Sequence, residues 1–321
     1  MADSPTLADV QAAAGFIARR VHRTPMLTSA TLAERCGVPV WLKAELFQRT
    51  GSFKPRGAFN RVRALTAEER GRGAITISAG NHAQALALAA RDEDVHALVF
   101  MPADASPAKV AATRGYGATV DLESADTMEA LERMRAVAAE TGRVIVHPYD
   151  DPLIVAGQGT VGLEIVEDAA AADTVVVPIG GGGLISGIAT AVKGLRPDAR
   201  VIGVEPELSA AMRTAIDTGA PVPAVPGPTI ADALRSPVAG TIALEVCSRL
   251  VDDVVLVSDE EIREGMRFLY ERAKLACEPG AAVGVAALLA GRLDVAGSSG
   301  VVFVISGGNV APQLAAEILA G

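Results

Sequence analysis

An α/β fold resting on largely parallel sheets is what this sequence predicts, on three observations. Short apolar, β-branched runs alternate along the chain with amphipathic helical stretches, the pattern of βαβ units. Several of these runs pass directly into glycine-rich turns that open helices. Half of the 321 residues are hydrophobic, enough for a large core and, at this length, for about two domains.

Strands are expected near residues 40–45, 74–78, 96–101, 118–122, 144–147, 174–179, 200–204, 253–257 and 301–305. Ala74-Ile75-Thr76-Ile77 runs through Ser78-Ala79-Gly80 into an Ala/Leu-rich helix from Ala83 to Arg91. Thr174-Val175-Val176-Val177 has the composition of a buried strand, and a run of glycines separates it from a helix reaching Ala191. Val301 to Ile305 is a further buried strand, ending in Ser306-Gly307-Gly308-Asn309. There is no repeat and no low-complexity linker.

Composition narrows the function classes. A net charge of −9 and a pI near 5.1 argue against nucleic acid as a partner. Cys36, Cys247 and Cys277 are widely spaced and odd in number, which points to reduced cytoplasmic thiols with neither a zinc site nor a disulfide framework. Cys277 is expected to be an inert core thiol. No apolar run reaches about 18 residues and no signal peptide is evident, so neither membrane insertion nor export is expected.

Chemistry concentrates in four segments. Gly51-Ser52-Phe53-Lys54-Pro55-Arg56-Gly57 sets a lysine in a tight turn without the charge spacing of a solvated helix face. Partial desolvation there would favour the free amine, which forms Schiff bases with aldehydes; the alternative is a surface lysine at a helix start. Gly180-Gly181-Gly182-Gly183-Leu184, between strand and helix, can close backbone N–H groups around a phosphate, or be a flexible turn. It fits neither the Gly-x-Gly-x-x-Gly nor the P-loop register, so a lone phosphate is the better match. Ser78-Ala79-Gly80-Asn81-His82 can offer loop amides to a carboxylate, or hold an N-cap at Ser78 or Asn81. Ser306 lies off the carboxyl end of a strand, where ligands of parallel sheets bind.

These segments, in this order and spacing, resemble the pyridoxal-phosphate (PLP) enzymes of the tryptophan-synthase-β fold type, and among them the short threonine/serine dehydratases, with serine racemase related. The likeness also covers Arg23-Thr24-Pro25, His147-Pro148-Tyr149-Asp150-Asp151-Pro152, Ala156-Gly157-Gln158-Gly159-Thr160, Thr229-Ile230-Ala231-Asp232 and Leu250-Val251-Asp252-Asp253. It implies two open parallel-sheet lobes with PLP in the cleft between them. Residues 1–47 and 147–321 would form the larger lobe and 48–146 a smaller, inserted one that closes on substrate. It implies no C-terminal regulatory domain, and a homodimer or homotetramer as the default assembly.

The resemblance also assigns roles. Lys54 holds PLP as a Schiff base and serves as general base at Cα. Phe53 lies against the pyridine ring, Asn81 donates to its 3-hydroxyl, and Gly180, Gly181, Gly182, Gly183 and Leu184 bind the phosphate. Ser78, Ala79, Gly80, Asn81 and His82 cradle the substrate carboxylate. Ser306 faces the pyridine nitrogen; a hydroxyl does not keep that nitrogen protonated, which suits β-elimination from a β-hydroxy amino acid. Asp151 is expected either near the substrate hydroxyl or as a helix N-cap, and Glu278 either near the cofactor ring or as a cap.

Two departures discriminate among relatives. Racemases carry a serine at Ala79 as a second acid/base, and alanine has no transferable proton. Racemase-like members ligate a divalent metal with carboxylates falling at Glu205 and Ala211. Ala211 cannot ligate, so no obligatory metal is expected, and Glu205 is as readily a solvent-facing residue. Serine and threonine are the expected substrates, with 3-hydroxyaspartate and racemisation as alternatives. A second carboxylate would want a cation near the Asn81 loop, and the direction of Arg56 is open. A nicotinamide oxidoreductase lacks its fingerprint here, and a non-catalytic PLP-binding protein would have no need of Lys54.

Overall fold

The computed structural model describes residues 4–321, in which ten strands form two sheets. Strands β1 (Met26–Thr28), β2 (Val40–Ala44), β7 (Thr174–Pro178), β8 (Arg200–Pro206), β9 (Asp253–Val257) and β10 (Val301–Ile305) make a six-stranded sheet of order β1-β2-β10-β7-β8-β9. Strands β3 (Ala74–Ile77), β4 (Ala97–Pro102), β5 (Thr119–Ser124) and β6 (Val144–Ile145) make a four-stranded sheet of order β5-β4-β3-β6. All pairings are parallel except β1 with β2. The nine expected strands are present; β1 was not foreseen, because three residues on an antiparallel edge carry no periodic signal.

Helices cover both faces of the larger sheet, which is why its strands are continuously apolar instead of alternating. In β10, Val301, Phe303 and Ile305 join a core with the helices Asp259–Phe268 and Pro279–Leu289. Val302 and Val304 point the other way, into a core with the helices Pro152–Asp168, Gly183–Leu195 and Thr241–Leu250. The smaller sheet is sandwiched likewise. Val99 and Met101 pack with the helices Pro55–Arg63 and Asn81–Asp92, while Ile75 and Phe100 pack with Thr127–Thr141. The turns that leave the carboxyl ends of β3, β7 and β10 are the three loops singled out in the sequence. Among the described residues no helix is long and apolar enough to cross a membrane.

Candidate active site

Lys54 occupies the N-cap position of the helix Pro55–Arg63, with Pro55 in the first helical turn. The segment before it is sewn to the end of β10. Phe53 N donates to Ser306 O (3.1 Å), Gly308 N donates to Gly51 O (2.9 Å), and Ser52 bridges Gly307. Reaching that path puts Thr50 at φ 62°, a left-handed conformation costly for a β-branched residue. Lys54 Nζ donates to the carbonyl of Pro148 at 2.9 Å and stands 5.1 Å from the centroid of the Phe53 ring. Burial brings its ammonium down to about 8, against the opposing pull of Glu278. The amine is therefore substantially neutral in mildly alkaline solution.

The glycine run joins β7 to the helix Gly183–Leu195, which continues past the expected Ala191. Gly182 caps it at φ 95°, where a Cβ would lie 2.5 Å from Ala243 Cβ and 2.6 Å from Met212 Cε. A Cβ on Gly181 would fall 2.4 Å from the Tyr149 ring. Bare amides therefore line the start of a 13-residue helix whose dipole adds positive potential there, a cradle for an anionic oxygen cluster. Leu184 is buried beneath them.

In the loop after β3 neither Ser78 nor Asn81 is the N-cap. Gly80 takes that position and Ser78 Oγ accepts from Gly80 N at 3.2 Å, closing the turn. Ala79 packs against the small-sheet core, and Asn81 begins the helix Asn81–Asp92. Asn81 Nδ2 donates to Glu278 Oε1 (2.9 Å) and Oε2 (3.1 Å), while its Oδ1 accepts from Asn309 Nδ2 (2.8 Å). His82 is buried, its Nε2 3.1 Å from Val146 O. Burial first, and then the charge of Lys54, push this imidazole down to about 3, so it is neutral with its proton on Nε2.

Glu278 starts the helix Pro279–Leu289 but makes no side-chain cap; its carboxyl is buried against Gly307 and Asn81. Burial pushes it up to about 7, with the Asn81 hydrogen bond opposing. Of its two expected roles, Glu278 holds the N-cap position without capping through its side chain. Asp151 is the helix N-cap: Oδ1 accepts from Leu153 N (2.8 Å) and Ile154 N (3.1 Å), and Oδ2 accepts from Arg61 Nε (2.8 Å). Ser306 is buried at the end of β10. Glu205 corrects the solvent-facing expectation. It is fully buried and accepts from Met212 N (2.9 Å) and Arg213 N (2.8 Å), closing the start of the helix Ala211–Thr218, and burial pushes its carboxyl up to about 7. Among the described residues no three His, Cys, Asp or Glu gather as metal ligands.

Two sets of residues escaped sequence reasoning although their motifs were in view. Arg56 is fully buried and grips Glu45 (2.8 Å from both Nε and Nη2) and Glu164 (2.7 and 2.9 Å), with Thr160 at 3.1 Å. Lys43, also fully buried, donates to Glu164 and to Thr24 O, and Thr24 donates to Glu45. The second set is His147-Pro148-Tyr149, which brings the Lys54 amine and the glycine loop to one turn.

A phosphate-bearing aldehyde cofactor fits what is present. A depressed amine, bare glycine amides at a helix start, and the buried Ser52 Oγ with no hydrogen-bond partner gather around the ends of β7 and β10. The comparisons agree. The family model described as pyridoxal-phosphate dependent enzyme matches residues 17–307. The chain is 44% identical over 305 residues to L-threonine ammonia-lyase of Thermotoga maritima, covering 95% of this chain and 76% of that one. It is 41% identical to L-threo-3-hydroxyaspartate ammonia-lyase of Saccharomyces cerevisiae, over 99% and 97% of the two chains. Its fold superimposes on maize serine racemase with a TM-score of 0.92 at 35% identity, covering 99% of this chain and 98% of that one.

Proposed function

We propose that this chain, which belongs to the pyridoxal-phosphate dependent enzyme family, binds PLP and converts L-threonine and L-serine to 2-oxobutanoate or pyruvate with release of ammonia. The observation that carries the reading is Lys54, an amine lowered to about 8 in a turn fastened to the end of β10 and donating to the Pro148 carbonyl. The likeness to an L-threonine ammonia-lyase supports the substrate class.

Bound PLP supplies electron withdrawal at the substrate Cα. In this reading Lys54 holds the cofactor and then takes the Cα proton. Phe53 would lie against the cofactor ring, Asn81 would turn its amide from Glu278 toward the ring's 3-oxygen, and the amides of Gly180, Gly181, Gly182, Gly183 and Leu184 would hold the phosphate. Ser78, Ala79, Gly80, Asn81 and His82 would cradle the substrate carboxylate. A Ser306 hydroxyl facing the ring nitrogen would leave the electron sink weak, which would favour loss of the β-hydroxyl. Ala79 has no proton to return on the opposite face, which disfavours racemisation. Arg56 is committed to Glu45 and Glu164 and is not available for a second substrate carboxylate, which favours serine and threonine over 3-hydroxyaspartate. Residues 1–47 and 147–321 would form one lobe and 48–146 the other, with substrate entering between them.

The test is a visible spectrum followed by a 2-oxo-acid assay in the same cuvette. A band at roughly 410–420 nm, characteristic of PLP bound to lysine, is expected and should be absent in Lys54→Ala. L-Threonine should then give 2-oxobutanoate. A protein that stays colourless after incubation with PLP would refute the cofactor reading, and a yellow protein inert to threonine and serine would refute the substrate.

A further inference from the structure

We propose that His147 is a positioning residue, whose Nδ1 fixes the turn 147–150 so that the Pro148 carbonyl holds the Lys54 amine in place. The inference builds on the assignment of Lys54 as the reacting amine. Its ground is the observed hydrogen bonding.

Lys54 Nζ donates to the Pro148 carbonyl at 2.9 Å, and that carbonyl belongs to no helix or strand. What fixes it is the preceding side chain. Tyr149 N (3.3 Å) and Asp150 N (2.8 Å) both donate to His147 Nδ1, the arrangement in which an asparagine or aspartate closes a turn over its own backbone. An Nδ1 that accepts two N–H groups carries no proton, so the imidazole is neutral; burial keeps it below its ordinary value, with Asp150 opposing. The ring is set edge-to-face against Tyr149, centroids 4.6 Å apart at 85°.

The same turn braces the glycine cradle. The Tyr149 ring fills the space a Gly181 side chain would need, and its hydroxyl donates to Val238 O (3.1 Å). Asp150 Oδ1 accepts from Ile242 N (2.9 Å), and Gly240 N donates to Gly181 O (3.0 Å). One acceptor atom on His147 therefore sets the geometry on both sides of the site. The charged and titratable groups that face it are Asp150, Asp151, Lys54, Arg135 and the neutral His82; Glu278 faces Lys54.

Asparagine is the discriminating substitution, because its Oδ1 stands two bonds from Cβ, as Nδ1 does in histidine, and accepts the same two N–H groups. The measurements are the pH midpoint for acetic anhydride labelling of Lys54 in full-length protein prepared without PLP, and kcat and KM of the PLP-loaded enzyme. His147→Ala frees the Pro148 carbonyl. The ammonium loses its acceptor, and the labelling midpoint should fall by at least ~0.5 pH unit from the wild-type value. In the loaded enzyme kcat should fall by about 10- to 100-fold, with KM within about threefold, as for a displaced reacting group. His147→Asn should return the midpoint to within ~0.3 unit and recover most of kcat. An alanine variant that labels like wild type overturns the proposal. So does an asparagine variant whose midpoint moves as far as that of alanine. Should His147→Ala not fold, the asparagine midpoint decides alone, retention supporting the idea and displacement overturning it. A wild-type protein without a PLP band would refute the cofactor reading instead, and would leave the labelling comparison intact.

Discussion

Replacing Arg56 by methionine would remove the cation from a buried four-charge cluster while keeping much of its apolar stem. The Arg56 side chain is 1% exposed and Glu45 is fully buried, so the Glu45 carboxylate cannot turn to bulk water without moving backbone, whereas Glu164 is 13% exposed. Four charge-assisted hydrogen bonds disappear, two to Glu45 and two to Glu164. Glu45 keeps only the Thr24 hydroxyl, whereas Glu164 keeps Lys43. Removing one partner of a buried ion pair costs about 3–5 kcal/mol, because the remaining charge is left uncompensated. At ~2.1 cal/mol/K of unfolding entropy per residue, a 321-residue chain has about 0.7 kcal/mol/K, so ~4 kcal/mol lowers Tm by about 6 °C.

Differential scanning calorimetry at pH 8 and pH 4 would measure this. Burial works to raise the Glu164 carboxyl, but the Arg56 hydrogen bond and charge, with Lys43, hold it below 4.5. A depressed carboxyl stabilises the fold fully above its unfolded value and progressively less as pH falls through its folded value. The gap between wild type and Arg56→Met should therefore be widest at pH 8 and narrower at pH 4. Arg56→Lys should fall between them, since an ammonium cannot engage two carboxylates bidentately. A Tm loss under about 2 °C, or a gap that widens on acidification, would refute the reasoning.

Three further outcomes are expected. Glu278 is pushed up to about 7 mainly by burial, so the folded state is penalised as pH rises from 4.5 toward 7; Glu278→Gln should raise Tm more at pH 8 than at pH 4.5, and an equal gain at both would contradict this. Gly182→Ala forces a Cβ onto a residue at φ 95° and against Ala243, and should weaken PLP binding by at least about tenfold in a fluorescence titration. Cys247 and Cys277 are buried with thiols pushed up to about 12, whereas Cys36 is partly exposed; an aromatic disulfide reagent should count one fast thiol in the native protein and three in denaturant.

What the sequence disclosed and what it hid have separate physical origins. Strands and phosphate-cradling turns are local: apolar runs bounded by glycine read the same in the chain and in the fold, which is why β3, β7 and β10 with their loops were visible. Partnerships between distant residues leave no such trace. Arg56 meets Glu164 across 108 positions and Asn81 meets Glu278 across 197, and neither spacing is periodic. Glu205 misled for a related reason, because a carboxylate closing the start of a neighbouring helix is spelled like one facing solvent. Asp151 followed by Pro152 could be read as a cap because capping is itself a local interaction.

The stitching of residues 51–53 to 306–308 fastens the turn that carries Lys54 to the end of β10, while the helix Pro55–Arg63 that follows it packs on the smaller sheet. Asn81, which begins a helix of the smaller sheet, reaches Glu278 and Asn309 through side chains. Any movement of one sheet against the other would therefore bear on the turn 51–54, which is tied to both.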